Sequence, residues 1–253
     1  MTKIAIVGAS GRMGKKVREA CLELDNVQAV CGIDLNNDFS DANFPIYQSF
    51  NYINGNVDVI IDFSSANSLD ALLEYAIKTK TPVVLCPTGY TEEQIEKINE
   101  ASKSVAIFRS ANMSIGVNAI LDAVKTIAKK LYGFDVEIIE KHHHNKVDAP
   151  SGTALMLADG VKEVCPEKFY VYGREGMVGK RDANEIGIHA VRGGSIVGEH
   201  DVIFAGNNET VTISHTATDR SVFANGAVRA AIFMKGKTCG LFNMDDVLKA
   251  NAK

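Results

Sequence analysis

The residues best suited to chemistry crowd into one short segment. Glu140-Lys141-His142-His143-His144-Asn145-Lys146-Val147-Asp148-Ala149-Pro150-Ser151-Gly152-Thr153-Ala154 opens with a cationic cluster and closes on the Pro-Ser-Gly-Thr start of a helix. Lysine supplies fixed positive charge, histidine a proton near neutrality, and the first amides of a helix bind an anion through unpaired N–H groups. Together these suit a small polycarboxylate. Two plainer readings stand beside it. One is a metal site: along an extended strand His142 and His144 would share a face, with His143 on the other. Only Glu140 or Asp148 could complete a tetrahedral set, so a metal is not expected. The other is a solvated polar loop, which the helix start argues against.

A second segment suits a cofactor. Gly8-Ala9-Ser10-Gly11-Arg12-Met13-Gly14 follows an apolar run and precedes an amphipathic one. Glycines at this spacing allow a tight turn and let backbone approach a pyrophosphate, which the next helix N-terminus attracts. The pattern alone is weak, and an ordinary strand–helix turn would also carry it; its place in the first βαβ unit strengthens it. Asp34 ends the next apolar run, where a carboxylate accepts hydrogen bonds from adenosine ribose hydroxyls and repels a 2′-phosphate. A solvated turn acid is the alternative. Leu35-Asn36-Asn37 follow without Arg or Lys, so NADH is favoured over NADPH, unless Arg12, Lys15 or Lys16 compensates.

Those segments need elements to hold them. The first third alternates strand-like runs (Lys3–Val7, Gln28–Ile33, Val57–Phe63, Pro82–Cys86, Val105–Phe108) with helical patterns (Arg12–Leu24, Leu69–Ile77, Glu92–Ala101). This is the signature of a parallel sheet with right-handed crossovers. After Asn112 come a long helix at Ile115–Leu131, a strand at Asp135–His143 and a helix at Ser151–Glu163. Residues 165–182 read as a loop. Strands follow at Glu185–Val191, Ser195–Phe204 and Glu209–Thr216, the last two forming a hairpin around Gly206-Asn207-Asn208. Consecutive strands imply a mixed or antiparallel sheet, hence a second domain. Ala224–Met234 is helical again. The fold class is α/β: a Rossmann-like, doubly wound parallel sheet plus an α+β substrate domain.

With 253 residues and 46% hydrophobic content the chain can bury a sizeable core. Its net charge of −4, with both signs interspersed, argues against nucleic acid or a membrane surface as partner. Cys21, Cys31, Cys86, Cys165 and Cys239 are scattered and never in C-x-x-C spacing, which fits a reducing cytoplasm. The apolar stretch Ile4–Val7 is too short for a signal peptide. His189, His200 and His215 stand singly in strand patterns and read as structural. Arg192-Gly193-Gly194 reads as a turn, from which the Arg could reach an anion.

The same residues resemble the 4-hydroxy-tetrahydrodipicolinate reductases. The pattern E-x-H-H-x-x-K-x-D-A-P-S-G-T-A over Glu140–Ala154 carries the resemblance. GASGRMG at 8–14, Asp62-Phe63-Ser64, Ser110-Ala111-Asn112-Met113-Ser114-Ile115-Gly116-Val117-Asn118, Gly198-Glu199-His200 and Arg220-Ser221-Val222-Phe223-Ala224-Asn225-Gly226-Ala227 support it. The resemblance implies a dinucleotide-binding domain from 1–112 and 220–253, a substrate-binding and oligomerisation domain from 113–219, and a homotetramer. It implies His142 as proton donor. His143 and Lys146 contact the substrate, Lys146 with a share in proton transfer, and Ser151, Gly152 and Thr153 bind a carboxylate. The implied cofactor contacts are Gly8, Ser10, Gly11, Arg12, Met13, Asp34, Phe63, Ser64, Thr88, Ala111, Asn112, Met113, Arg220 and Phe223. One departure stands out: the family commonly has Gly-Thr-Thr-Gly where this chain has Cys86-Pro87-Thr88-Gly89. Pro87 has no N–H and Cys86 lacks glycine's backbone freedom.

The implied reaction is reduction, in lysine and diaminopimelate biosynthesis, of a six-membered cyclic imine bearing two carboxylates. Hydride transfer needs reacting atoms about 3–3.5 Å apart, so closure about the junctions near Asn112–Gly116 and Asp219–Val222 is expected. Two rivals are another two-domain NAD(P)-dependent dehydrogenase of amino or hydroxy acids, and a non-catalytic NADH-binding redox sensor. Neither needs the His-His-x-x-Lys…Ser-Gly-Thr segment.

Overall fold

β-Branched and apolar residues make Thr2–Val7 a strand, β1, buried almost throughout. In the computed structural model, which describes residues 1–36, 42–53 and 55–251, β1 is the centre of a parallel sheet. Its other strands are β2 (Val27–Ile33), β3 (Ile46–Tyr47), β4 (Val59–Asp62), β5 (Val83–Leu85), β6 (Ala106–Arg109) and, from the C-terminal segment, β12 (Gly240–Phe242). The order is β12-β6-β5-β4-β1-β2-β3, with every neighbouring pair parallel. The chain therefore reverses its direction of winding between β1 and β4, the place where such sheets open a crevice at their C-terminal edge.

Helices cover both faces. Helices α1 (Arg12–Leu22), α6 (Ser221–Met234) and α7 (Met244–Asn251) pack on one side through Val17, Ala20, Ala227, Ala231 and Val247. Helices α2 (Leu69–Thr79) and α3 (Glu92–Ser102) pack on the other through Leu69, Leu72, Leu73, Ala76 and Ile98. Strands buried on both faces read as continuous apolar runs, as Val59-Ile60-Ile61 does. Small residues let α6 come close: a Cβ on Gly226 would lie 1.7 Å from the Met113 carbonyl oxygen.

The second sheet has the order β11-β10-β7-β9-β8. Its strands are β7 (Asp135–His142), β8 (Phe169–Tyr172), β9 (Glu185–Arg192), β10 (Gly198–Ala205) and β11 (Thr210–Ala217). β10 runs antiparallel to both β7 and β11, while β7, β9 and β8 are mutually parallel. Alternation is clean: Val136, Ile138, Val202 and Phe204 point to a core shared with α4 (Ile115–Lys130) and α5 (Gly152–Val164).

The chain divides into two compact units, Met1–Ile115 with Arg220–Lys253, and Gly116–Asp219. The boundary falls after Ile115 rather than after Asn112, because Met113 and Ile115 pack into the core under α6. Three further corrections are local. Phe169–Tyr172 is a strand inside the expected loop; it is a short edge strand without buried alternation, so no period marks it. Helix α6 starts at Ser221, three residues before its apolar stripe. Strand β7 stops at His142, so His144 is in a turn and shares no strand face with it. No helix among the described residues is long and apolar enough to cross a membrane.

Candidate functional site

The first unit builds a cleft at the C-terminal edge of β1, β2 and β4. Gly8 takes φ +77°, and a Cβ there would lie 3.0 Å from the Phe63 carbonyl and the Ser64 amide. At Gly14 a Cβ would lie 2.1 Å from the Gly8 carbonyl oxygen, so only glycine lets α1 start this close to the turn. Helix α1 has Gly11 as N-cap, no side-chain cap and no acid in its first turn. Such a terminus suits an external anion.

Asp34 is fixed beside this turn. The Ser10 amide donates to its Oδ2 (2.9 Å) and the Asn36 amide to its Oδ1 (2.9 Å). Each carboxylate oxygen retains lone-pair capacity for a hydroxyl donor. The cleft, about 580 Å³, is lined by Gly8, Gly11, Asp34, Phe63 and Ser64 among the expected residues, and also by Leu35, Gln48, Ser49, Phe50, Asn67 and Ser68. The added residues come from just beyond the end of β2 (Leu35), from the segment after β3, and from short 3-10 turns at Phe50–Tyr52 and Ala66–Ser68. Turns of that length leave no periodic trace in sequence. Lys15 lines a different cleft beside Arg18, and Lys16 pairs with Glu19 at 3.2 Å. Asn37 lies outside the described residues.

Other expected cofactor contacts stand outside this cleft's lining. Arg12, Thr88, Ala111 and Arg220 are exposed, Met13, Asn112 and Phe223 half-buried. Met113 is buried, and its side chain packs in the core. Below Phe63, Asp62 is completely buried with Oδ2 unpartnered, while Ser64 donates its amide to Oδ1. Burial pushes its carboxyl up to about 6, against the Ser64 hydrogen bonds. Burial likewise raises the neighbouring Cys86 thiol.

The second unit gathers the cationic segment around one acid. Glu140, on β7, is fully buried. Its Oε2 accepts from Arg192 Nη1 (2.7 Å) and faces His142 Nδ1 (2.6 Å). Its Oε1 accepts from Arg192 Nη2 (2.7 Å) and the Ser151 amide (3.0 Å). Burial acts to raise this carboxyl, but the bonds from Arg192, His142 and Ser151 outweigh it and hold the group below the usual range. A carboxylate only accepts, so His142 carries hydrogen on Nδ1 and exposes Nε2 for exchange. A Cβ on Gly198 would lie 3.1 Å from that Nε2; glycine keeps the space beside it clear.

Ser151 caps α5. Its Oγ accepts from the Ala154 amide (3.2 Å) and pairs with His200 Nε2 (3.0 Å). With its amide on Glu140 as well, Ser151 links the start of α5 to β7. Gly152 and Thr153 form the first turn of α5 just beyond this cap. His200 stacks edge-on against His142, with ring centroids 5.2 Å apart. Burial, then the nearby His142, pushes its imidazole down to about 4. Lys146 pairs with Asp148 at 2.7 Å, and this partner holds the Asp148 carboxyl low. His143 is half-buried and His144 exposed. Arg192, expected in a turn, ends β9 and commits both terminal nitrogens to Glu140.

Models of the N-terminal and C-terminal parts of dihydrodipicolinate reductase match residues 2–113 and 116–248. The chain belongs to the dihydrodipicolinate reductase family. The 4-hydroxy-tetrahydrodipicolinate reductase of Clostridium tetani is 50% identical over 252 residues, covering 99% of this chain and 98% of that protein. The enzyme of the same name from Caldanaerobacter subterraneus subsp. tengcongensis is 51% identical, covering 98% and 99%. Among solved structures, the dipicolinate-bound dihydrodipicolinate reductase of Paenisporosarcina sp. TG-14 has the same fold, with TM-score 0.80 and 24% identity over 96% of this chain and 97% of that one. Membership makes the chain an NAD(P)H-dependent oxidoreductase, of a family that acts in lysine and diaminopimelate biosynthesis.

Proposed function

We propose that the chain reduces 4-hydroxy-tetrahydrodipicolinate to tetrahydrodipicolinate, with NADH preferred over NADPH, as a cytoplasmic homotetramer. The observation that carries the reading is the second unit's arrangement: His142, Lys146 and the first turn of α5 are all tied to one short stretch of chain, with His142 and the helix start both fixed on Glu140. It offers a lysine charge, an imidazole N–H and helix-terminal amides together, as a cyclic dicarboxylate requires.

The first unit fits the nicotinamide dinucleotide. Gly8, Ser10, Gly11, Arg12 and Met13 would receive the pyrophosphate at the start of α1, Asp34 the adenosine ribose, and Phe63 and Ser64 the adjoining surface. Thr88, Ala111, Asn112, Arg220, Phe223 and the backbone of Met113 would complete the contacts. The 4-hydroxyl leaves as water with a hydrogen from the adjacent ring carbon, which gives a conjugated imine; when bound, the cofactor would supply a hydride for carbon 4 of that imine, leaving negative charge shared by the ring nitrogen and carbon 3. The chain's own groups do the rest. Lys146, His143 and the amides of Gly152 and Thr153 hold the carboxylates and ring nitrogen, and the charge they bring stabilises charge developing there. His142 gives its Nε2 proton to ring carbon 3: an N–H bond breaks, a C–H bond forms, and a neutral imidazole remains with Nδ1–H on Glu140. The preference for NADH is supported by Asp34 without a basic neighbour among Leu35 and Asn36, by Lys15 lining a different cleft and by Lys16 pairing with Glu19.

Assembly is supported by the outer face of the second sheet. Glu137, Ile139, Lys141, Glu199, Asp201 and Ile203 alternate with core residues on β7 and β10, away from α4 and α5. Light scattering coupled to gel filtration should return four times the 27.3 kDa chain mass; a monomer would overturn the tetramer. For the reaction, pyruvate and aspartate semialdehyde are condensed by a synthase, and NADH or NADPH oxidation is followed on adding this protein. No oxidation above the synthase blank would refute the proposed activity.

A further inference from the structure

Glu140 does not behave as an acid or base of the site. All four hydrogen bonds that approach its carboxylate are charge-assisted or come from a backbone amide, two on each oxygen. An ionised carboxylate has about four lone-pair sites, so this one is saturated. It is fully buried and has no open position for a substrate, a water or a metal. A buried ion pair of this kind is often no more stabilising than an apolar substitute of the same shape. Its placement therefore asks for another reason, and three of its partners give one. Arg192, 52 residues further along the chain, fixes the carboxylate by a two-pronged bond. The Ser151 amide ties the start of α5 to it. His142 is thereby fixed in one orientation and one tautomer.

We propose that Glu140, locked by Arg192, is the positioning residue that makes His142 a proton donor from Nε2. The carboxylate keeps hydrogen on Nδ1 and stabilises the imidazolium by its charge, so that the exchangeable proton always sits on Nε2, beside the gap left by Gly198. This rests on His142 being the donor. Other charged groups around the imidazole do not supply the same function. His200 on β10 is pushed down to about 4 and stays neutral in the working range. His215 on β11 is lowered by burial as well. In the loop after β7, Lys146 and Asp148 face each other. Among the described residues, only Glu140 brings negative charge into contact with Nδ1.

The test compares Glu140→Gln, Glu140→Asp, Arg192→Lys, His142→Gln and the Glu140→Gln/His142→Gln double variant, in the full-length protein. Glu140→Gln should lower kcat by about 10- to 1000-fold with KM and NADH affinity within about threefold. Its alkaline limb of kcat should move to lower pH by about one unit or more, because the imidazolium loses its counter-charge. Glu140→Asp should recover part of the rate, and Arg192→Lys, which keeps the charge but not the two-pronged bond, should show a smaller shift in the same direction. The double variant should be no slower than His142→Gln alone, since Glu140 acts only through His142. If Glu140→Gln fails to fold, Arg192→Lys and Glu140→Asp carry the same pH readout. A large loss in His142→Gln with an unmoved limb in the Glu140 and Arg192 variants would overturn the positioning role and leave the donor standing. Near-normal kcat in His142→Gln would overturn the donor assignment itself.

Discussion

Burial of His200 makes a measurable statement about stability against pH. Its imidazole is 4% exposed and is pushed from 6.5 to about 4 by burial and then by His142. The folded pKa lies below the unfolded one, so the unfolded chain takes up the proton first. Stability is whole above the unfolded pKa and is lost as pH falls towards the folded one. Between pH 8 and pH 5 this group alone should remove about 2 kcal/mol. Asp62 acts in the opposite sense. Its carboxyl is raised from 3.8 to about 6 by burial, so the folded chain binds the proton first, and over the same interval it should return about 1 kcal/mol. Wild-type stability would then fall by about 1 kcal/mol from these two groups, and His215, lowered by burial as well, adds to the fall, so the His200 effect is isolated by difference. His200→Gln keeps a hydrogen-bonding partner for Ser151 and removes the titration. Urea unfolding of both proteins, at pH 8 and pH 5 and at one protein concentration, gives a double difference: the variant should gain about 2 kcal/mol relative to wild type on going to pH 5. Parallel pH dependences, with a double difference under about 0.5 kcal/mol, would show that His200 is protonated in the folded protein and would refute the assignment.

Three other outcomes follow from the two sites. Asp34→Ala should weaken NADH binding more than NADPH binding by calorimetry; a strong NADPH preference in the unmodified enzyme would contradict the cofactor assignment. Gly14→Ala places a Cβ 2.1 Å from the Gly8 carbonyl oxygen, so it should cut NADH affinity at least about tenfold by deforming the turn and cost about 1–3 kcal/mol of stability; unchanged affinity would remove the glycine turn from the binding site. Lys146→Ala should raise KM as well as lower kcat, whereas His142→Gln should lower kcat by about 10²–10⁴ with KM kept, a split that steady-state kinetics reads directly.

What could be read from the sequence was what local spacing encodes. Strand, glycine turn and helix start lie within thirteen residues from Thr2 to Gly14, and apolar runs such as Val59–Asp62 mark buried parallel strands without outside information. The mixed second sheet was legible from the hairpin and from Asp135–His142 alternation. Edge strands were not: Ile46–Tyr47 and Phe169–Tyr172 are short and bury too little to impose a period. Nor was the Glu140–Arg192 bond, since its partners meet only because β9 pairs with β7 in the register that sets Arg192 against His142. In sequence Arg192 precedes two glycines and reads as a turn. The bonds of Ser151 were not legible either: its amide and hydroxyl reach Glu140, Ala154 and His200.

The two acids of the cationic segment are eight residues apart and are given opposite tasks by burial alone. Glu140 has no exposed side-chain surface and four donors; Asp148 has a side chain 58% exposed and pairs with Lys146. A solvated ion pair of the second kind is worth little, about 0–1 kcal/mol, so an incoming carboxylate can take Lys146 from Asp148 at small cost. The same carboxylate cannot take Arg192 from Glu140, because that would leave a buried charge without its partner. On this reasoning Lys146 is the cation that a substrate could recruit, and Arg192, bound to the same carboxylate as the histidine, is the one it could not. Asp148→Asn should accordingly lower KM for the dicarboxylate with kcat little changed; a raised KM would mean that Asp148 orients Lys146 and does not compete for it.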